Sequence, residues 1–114
     1  RTVPLKVSGA FHSPLMQAAA DEFAHTLRAV DFQPPRVPVY SNCNATPSRD
    51  PQTLKQALLA QMTAPVRWRE TVLQMAADGI QEVWEIGPGN VLTGLVKRTV
   101  PTLARRNISS LDRR

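Results

Sequence analysis

The chain has 114 residues, a formal net charge of +5 and a hydrophobic fraction of 42%, which suits one domain with one core. No apolar run is long enough to span a bilayer and no secretory signal is visible at its start, so we expect a cytoplasmic location and no membrane partner. One cysteine and two histidines exclude an internal disulfide framework and a structural zinc site.

The first residue is Arg1 rather than methionine, so we treat the chain as a possible fragment.

The excess of basic residues lies at the C-terminal end of the chain. Residues 97–114 carry a net charge of +5, whereas residues 1–96 are neutral. Such a segment suits an anionic partner or is an ordinary solvated tail. Because it contains no aromatic residue, base stacking is unsupported and we expect no nucleic-acid partner.

The N-terminal third predicts a strand followed by a helix. Residues 3–11, VPLKVSGAF, are typical of a strand that ends in a turn of small residues. Ser13 before Pro14 marks a helix N-terminus, and apolar residues at three- and four-residue spacing predict an amphipathic helix over 14–30. This spacing places His25 on the solvent side of the helix.

Two further helices follow a short strand predicted at 37–41. Asp50 before Pro51 repeats the signal of a cap followed by proline and begins the second helix. The third helix is predicted to begin at Pro65 and to end at Gly79, since glycine is favoured directly after a helix.

The remaining chain predicts a strand, a helix and a last short strand. Residues 80–86, IQEVWEI, are typical of a strand, and Gly-Pro-Gly-Asn at 87–90 leads into a fourth helix. Lys97 and Arg98 fall at the C-terminal end of that helix, where cations are favoured. A last strand is predicted at 107–111. Because strands alternate with helices, we expect an α/β fold with a parallel sheet.

His12 is the first candidate for chemistry. It lies between the predicted strand and the first helix, in the stretch VSGAFHSPLM. A neutral imidazole is a competent general base near neutral pH, and Gly9 and Ala10 leave room beside it. The structural alternative is a histidine that satisfies backbone groups at a corner, and the pattern alone leaves both open.

Two other stretches have weaker signals. The turn at 87–90 exposes backbone N–H groups and is a generic anion site, although close packing of strand on helix explains its glycines better. Gln61 ends the second helix just before Pro65, where a free carbonyl can accept a hydrogen bond from a distant side chain; an ordinary corner between helices is the alternative. No serine lies in a G-x-S-x-G elbow, so no nucleophile is visible.

Four blocks occur in order: VSGAFHSPLM, VPVYSN, QMTAPVRW and EIGPGNVLTGLVKR. Together they resemble the C-terminal part of malonyl-CoA:acyl carrier protein transacylases, from about residue 3 to residue 100. The resemblance implies an α/β fold: the C-terminal part of an α/β-hydrolase-like large subdomain, with a short parallel sheet flanked by helices and without the ferredoxin-like small subdomain. Residues 1–114 would then be the C-terminal portion of a single acyltransferase domain.

The resemblance also assigns site residues. His12 matches the catalytic histidine, and Gln61 matches the glutamine whose backbone carbonyl orients it. Phe11 matches the residue type of malonyl-selective members, and we expect it to restrict the room beside the acyl α-carbon. Asn42 matches a position that lines the substrate pocket. The nucleophilic serine of the family lies upstream of these residues.

The implied activity is transfer of malonyl from coenzyme A to the phosphopantetheine thiol of acyl carrier protein in fatty acid biosynthesis, without a metal or redox cofactor. The implied partners are malonyl-CoA, acyl carrier protein, which Arg105 and Arg106 would attract, and the missing N-terminal part of the same enzyme. The chain alone is then expected to be inactive. The alternatives are a polyketide synthase acyltransferase domain, a thioester hydrolase on a related fold, and a non-catalytic interaction fragment.

Overall fold

A computed structural model of the chain describes residues 2–4 and 9–109. These residues fall into two compact units. The first combines the residues up to Cys43 with Pro47–Val66, and the second combines Asn44–Thr46 with the residues from Arg67 onward. No helix within these described ranges is long and apolar enough to cross a membrane. The elements in chain order are α1 (Gln17–Arg28), β1 (Val39–Tyr40), β2 (Pro47–Ser48), α2 (Pro51–Gln61), α3 (Trp68–Ala77), β3 (Glu82–Ile86), α4 (Val91–Thr99) and β4 (Ala104–Ile108).

The sheets are small, and one of them is parallel. β3 pairs with β4 in parallel, in a register that runs from Glu82 opposite Ala104 to Ile86 opposite Ile108. β1 and β2 form a separate antiparallel ladder of two residues each. The predicted α/β class with a short parallel sheet is therefore confirmed, whereas the antiparallel ladder was not predicted.

The first helix is shorter than the predicted range of 14–30. A 3₁₀ turn over Pro14–Met16 precedes α1, because the Met16 N–H donates to the Ser13 carbonyl three residues back. Leu27 is buried and His25 is exposed, as predicted, but Leu15 on the predicted apolar face is 83% exposed.

The second helix begins and ends where the sequence predicts. Asp50 is its N-cap, and the carboxylate accepts hydrogen bonds from the hydroxyl (2.6 Å) and the backbone N–H (2.9 Å) of Thr53. These bonds to Thr53 hold the pKa of Asp50 below its ordinary value of 3.8. Near the middle of α2, Lys55 donates to the Val30 carbonyl at 2.5 Å, which joins α2 to the segment that follows α1.

The third helix begins at Trp68, three residues later than the predicted start at Pro65. The reason is that Arg67 supplies the first helical carbonyl, which accepts from the backbone N–H of Thr71 at 3.0 Å. The predicted end is confirmed. Gly79 takes a φ of 90°, and the Ile80 N–H returns to the Met75 carbonyl at 3.0 Å, as in a Schellman motif.

The core of the second unit lies between its helices and one face of the parallel sheet. Val72, Val96 and Leu103 are buried there, and Val83 of β3 packs against them. The alternation of side chains along β3 puts Trp84 and Ile86 on the opposite face, where they are 54% and 75% exposed. One face of the sheet is thus covered, and the other is open.

The strands at the two ends of the chain were predicted with the wrong bounds. Residues 5–8 of the predicted first strand lie outside the described residues, and its described parts at 3–4 and 9–11 are not strand. β4 begins at Ala104, three residues before the predicted last strand at 107–111, whose final two residues lie outside the described range. The strand predicted at 37–41 is shortened to the two residues of β1.

Candidate active site

His12 is held against the C-terminal end of α2. The carbonyls at the end of a helix have no partner within the helix, and His12 uses two of them. Its ring Nδ1 lies 2.7 Å from the Gln61 carbonyl oxygen, and its backbone N–H donates to the Met62 carbonyl at 3.2 Å. The ring and the backbone of His12 are therefore fixed by the same helix end, 49 positions away along the chain.

The contact with Gln61 decides the tautomer of the imidazole. A backbone carbonyl has lone pairs and no proton, so the ring nitrogen that faces it must donate. In the neutral imidazole the proton is thus on Nδ1 of His12, and the Nε2 lone pair is left to accept a proton from another group. This is the arrangement that a general base requires.

The backbone at His12 is strained. Its φ of 64° lies in the left-handed region, which side chains with a Cβ seldom occupy. The predicted cap residue Ser13 does not cap the next helix; instead its hydroxyl donates to the Ala10 carbonyl at 2.5 Å. Strain of this kind persists where surrounding contacts hold it, and it concentrates at functional sites.

Phe11 lies beside His12 with its side chain turned outward. The residue is 64% exposed, although phenylalanine is usually buried. The ring folds back over Gly9, so that a Cβ added there would lie 2.8 Å from Cε2 of Phe11. An exposed aromatic ring next to a strained histidine is a surface available to a substrate or to another part of the protein.

Asn42 shares a cavity with Gln61. The cavity measures about 340 Å³, and Leu54 and Leu58 of α2 form part of its apolar wall. Asn42 and Gln61 are also among the residues that line it. Gln61 is therefore in contact with His12 through its backbone and borders the cavity that contains Asn42, while Phe11 is not part of the cavity wall.

The turn at 87–90 is not an open anion site, which corrects one of the two interpretations of its sequence. The Glu85 carboxylate already occupies the N-terminus of α4, where it accepts from the backbone N–H (2.7 Å) and the hydroxyl of Thr93 and from the Leu92 N–H at 3.3 Å. Close packing does not explain the glycines either. Gly87 and Gly89 have φ angles of 135° and 86°, and no atom of the described residues lies within 4 Å of an added Cβ, so they are needed for backbone conformation.

We expect the substitution Glu85→Gln to lower the thermal stability of the chain in a pH-dependent way. The Thr93 hydroxyl, and then the N–H groups of Thr93 and Leu92, hold the pKa of Glu85 below its ordinary value of 4.5. A carboxyl whose pKa is lowered by folding stabilises the fold above its unfolded-state pKa, and that stabilisation is lost as the pH falls through the folded-state pKa. The decrease in Tm should therefore be full above about pH 5 and should shrink toward pH 3.

Thermal melts followed by circular dichroism from pH 3 to pH 7 measure this effect. Glu22→Gln is the matched control, because Glu22 is exposed on α1 and among the described residues its carboxylate has no hydrogen-bond partner. A Tm difference for Glu85→Gln that stays constant across this range would contradict the prediction.

Metal ligation finds no support in the described parts of the chain, where no group of three or more His, Cys, Asp or Glu residues lies close enough to share an ion. Cys43 is a free thiol, and its Sγ lies 3.5 Å from the Ala57 carbonyl.

Two structural contributors were missed by sequence reasoning. The first is Met62, whose carbonyl accepts from the His12 N–H. The sequence could have indicated this role, because the carbonyls of Gln61 and Met62 belong to the same helix end. Glu85 caps a helix that begins six residues later, from the preceding strand. No local capping motif has this spacing, so its sequence contains no signal for the role.

Comparison with known proteins agrees with the resemblance in sequence. The family described as acyl transferase domain matches residues 3–111. The malonyl CoA-acyl carrier protein transacylase of Synechocystis sp. is 51% identical over 112 residues, which are 98% of this chain and 38% of that protein. Its crystal structure matches with a TM-score of 0.92. The transacylase of the same name from Escherichia coli strain K12 is 43% identical over 103 residues, 90% of this chain and 33% of that protein.

A third relative is a solved complex described as a type II polyketide synthase acyl carrier protein with its malonyl transacylase. It has a TM-score of 0.88 and 39% identity, and the match covers 96% of this chain and 35% of the other. The chain therefore spans about a third of the length of these relatives. Since the family match extends over nearly all of its residues, the chain belongs to the acyl transferase domain family.

Proposed function

We propose that residues 1–114 are the C-terminal portion of the single acyltransferase domain of a malonyl-CoA:acyl carrier protein transacylase. The observation that carries the proposal is the 2.7 Å contact between His12 Nδ1 and the Gln61 carbonyl, which leaves Nε2 free as a base. The names of the relatives, one of them 51% identical, supply the reaction. In this proposal the chain is part of a hydrolase-like large subdomain, and the ferredoxin-like small subdomain lies elsewhere in the protein.

The proposed reaction has two half-reactions, and in each of them His12 accepts a proton and then returns it. First, Nε2 of His12 accepts the proton of a serine hydroxyl on the upstream part of the domain, and the serine oxygen attacks the malonyl thioester carbonyl. The bond from carbon to sulfur breaks, and the coenzyme A sulfur leaves with the proton from His12. The phosphopantetheine thiol of acyl carrier protein then gives its proton to His12, and its sulfur attacks the carbonyl carbon of the malonyl-serine. The bond from that carbon to the serine oxygen breaks, and the serine oxygen takes the proton back from His12.

Gln61 acts through its backbone in this scheme. Its carbonyl keeps the proton on Nδ1 throughout, as the aspartate does in a serine–histidine–aspartate triad. Because the carbonyl is neutral, it stabilises the imidazolium less than a carboxylate would. Asn42 contributes its amide to the substrate pocket, and Phe11 limits the room beside the α-carbon of the acyl group.

The first experiment compares the full-length protein, the 114-residue chain and the variant Gln61→Ala of the full-length protein. Transfer of radiolabelled malonyl from malonyl-CoA to holo acyl carrier protein is the readout. We expect transfer by the full-length protein and none by the chain alone, since the serine lies outside it. Because alanine keeps the backbone carbonyl, we expect Gln61→Ala to lower kcat by no more than about tenfold. Removal of a triad member lowers kcat by far more than this. Measurable transfer by the chain alone would overturn the proposal of an upstream serine.

The proposed partner is an acidic acyl carrier protein, and the structure changes which cations would attract it. Arg106 already pairs with Glu82 at 3.0 Å, and Arg105 donates to the carbonyls of Pro101 and Leu103. Lys97 and Arg98 lie exposed in the last turn of α4, and among the described residues neither side chain has a hydrogen bond or an ion pair. These two cations are better available for docking than the two arginines of β4.

Electrostatic docking predicts that transfer depends on salt. We expect kcat/KM for acyl carrier protein to fall several-fold between about 50 and 300 mM salt, because steering between opposite charges is screened. The kcat/KM for malonyl-CoA in the first half-reaction is the internal reference. Equal salt dependence of the two constants would argue against docking through these cations.

A second candidate is the same transfer to the carrier protein of a polyketide synthase. It is favoured by the relative whose solved complex contains a type II polyketide synthase carrier protein. The chemistry at His12 would be the same, so the two candidates differ only in the carrier. Comparing kcat/KM for carrier proteins of the two kinds separates them.

A further inference from the structure

The segment between α1 and β1 is held by two basic side chains. We call residues 30–35 the strap. Lys55 of α2 donates to the Val30 carbonyl at 2.5 Å, and Arg49, directly before the N-cap of α2, donates through Nε to the Pro35 carbonyl at 3.1 Å. Within the described part of the chain, no backbone group between these two carbonyls bonds to another backbone group. Both ends of the strap are therefore tied to α2 and its N-terminus by cations.

Lys55 makes a second contact with the strap. Its ammonium lies 5.3 Å from the centroid of the Phe32 ring, which is within the range of a cation–π interaction. Pro34 and Pro35 restrict the backbone between the tied ends. Because the strap is short and stiff, fixing its two ends also fixes the position of Phe32.

The strap and α2 both contribute to the wall of the cavity that Asn42 and Gln61 line. Phe32 is one of three strap residues in that wall, whereas neither Lys55 nor Arg49 is among the lining residues. None of the described residues that line the cavity carries a charge, so a carboxylate or a phosphate would find no opposite charge there. The wall combines apolar side chains with amides and hydroxyls, which suits an uncharged ligand that has both alkyl and amide groups.

We propose that Lys55 and Arg49 are positioning residues for the substrate: they clamp the strap onto α2 and so fix the wall of a cavity that takes the uncharged pantetheine arm of malonyl-CoA. This inference rests on the proposed transfer reaction and on the place of Asn42 in its substrate pocket. The amide and alkyl groups of the arm match the lining of the cavity. Because the two cations lie outside the wall, they act on substrate binding through the strap and leave the proton transfers at His12 unchanged.

Steady-state kinetics of the full-length protein test the clamp with Lys55→Met, Lys55→Arg and Arg49→Met. Methionine keeps most of the aliphatic stem of lysine and removes the charge, whereas arginine keeps a cation that can donate to the Val30 carbonyl. We expect Lys55→Met to raise the KM for malonyl-CoA by about three- to tenfold and to change kcat by less than about twofold, because substrate binding alone is weakened. Arg49→Met should raise this KM by about two- to threefold. Lys55→Arg should keep it within about twofold of the unmodified protein, since the charged donor is retained.

Arg36→Met is the matched control. Arg36 directly follows the strap and is exposed, and among the described residues its side chain has no hydrogen bond or ion pair. Its replacement removes the same charge without untying the strap, so the KM should stay unchanged. Malonyl-pantetheine, which lacks the phosphates and the nucleotide of coenzyme A, should show the same rise in KM as malonyl-CoA in Lys55→Met. An unaltered KM in Lys55→Met, an equal rise in Arg36→Met, or a rise confined to malonyl-CoA overturns the proposal.

A second readout does not depend on activity. With 4-fluorophenylalanine at position 32, the fluorine resonance should shift in Arg49→Met, because Arg49 ties the strap at Pro35, and it should stay in place in Arg36→Met. A resonance that does not move in Arg49→Met overturns the clamp. Absence of malonyl transfer by the unmodified protein overturns the proposed function instead, and the fluorine measurement then still decides whether the cations hold the strap.

Discussion

Replacement of His12 by alanine should reduce malonyl transfer by the full-length protein by about 1,000-fold in kcat, with the KM for malonyl-CoA changed by no more than about threefold. A positioned general base contributes about 100- to 10,000-fold, and His12 serves both half-reactions of the proposed scheme. The KM is expected to hold because the imidazole transfers protons during the chemical steps and contributes little to ground-state binding of the substrate.

The second histidine of the chain is the matched control. His25 is exposed on α1, so His25→Ala removes an imidazole without touching the helix end that holds His12. We expect kcat within about twofold of the unmodified protein, as for a typical surface substitution. Rapid-quench detection of the acyl-serine adds a second measurement, since its formation should slow as much as overall transfer does. Loss of less than tenfold in His12→Ala would contradict the role of general base.

The elements that were predicted well have signals at both of their ends. For α2, Asp50 and Pro51 specify the start through a side-chain cap and a fixed φ, and the helix ends at Gln61, four residues before Pro65. α3 has Gly79 at its end but no cap at its beginning, and its start was predicted three residues too early. Helix propensity alone cannot predict a helix start that depends on which backbone carbonyl accepts the first hydrogen bond of the helix.

The site could be predicted only in part, because its geometry joins distant segments. His12 was a candidate from its local sequence, but that sequence alone favoured the alternative of a corner histidine that satisfies backbone groups. The contact with Gln61 joins residues 49 positions apart, and no periodicity within either segment indicates it. The left-handed backbone of His12 has no sequence signal either, since it is maintained by the carbonyls of Gln61 and Met62 rather than by a glycine.

One face of the parallel sheet is uncovered, as expected if the chain is only part of the proposed domain. Parallel sheets are almost always covered on both faces, yet β3 presents Trp84 and Ile86 to solvent on one side. The Trp84 ring is partly covered by the Arg106 guanidinium, 5.2 Å from its centroid, whereas Ile86 is 75% exposed. About a third of the relatives' length is present in this chain, so the remaining part of the domain is available to cover this face.

Ile86→Asp tests that inference by comparing two proteins. In the 114-residue chain the residue faces water, and the substitution should change the free energy of unfolding by less than about 0.5 kcal/mol. In the full-length protein the aspartate would be buried without a partner, and we expect a loss of about 3 kcal/mol or more. Val83→Asp, on the covered face of the same strand, should destabilise both proteins by about 3 kcal/mol because it contacts the core in each. Urea unfolding measures all four variants. An equal, small effect of Ile86→Asp in the two proteins would mean that this face stays exposed in the full-length protein as well.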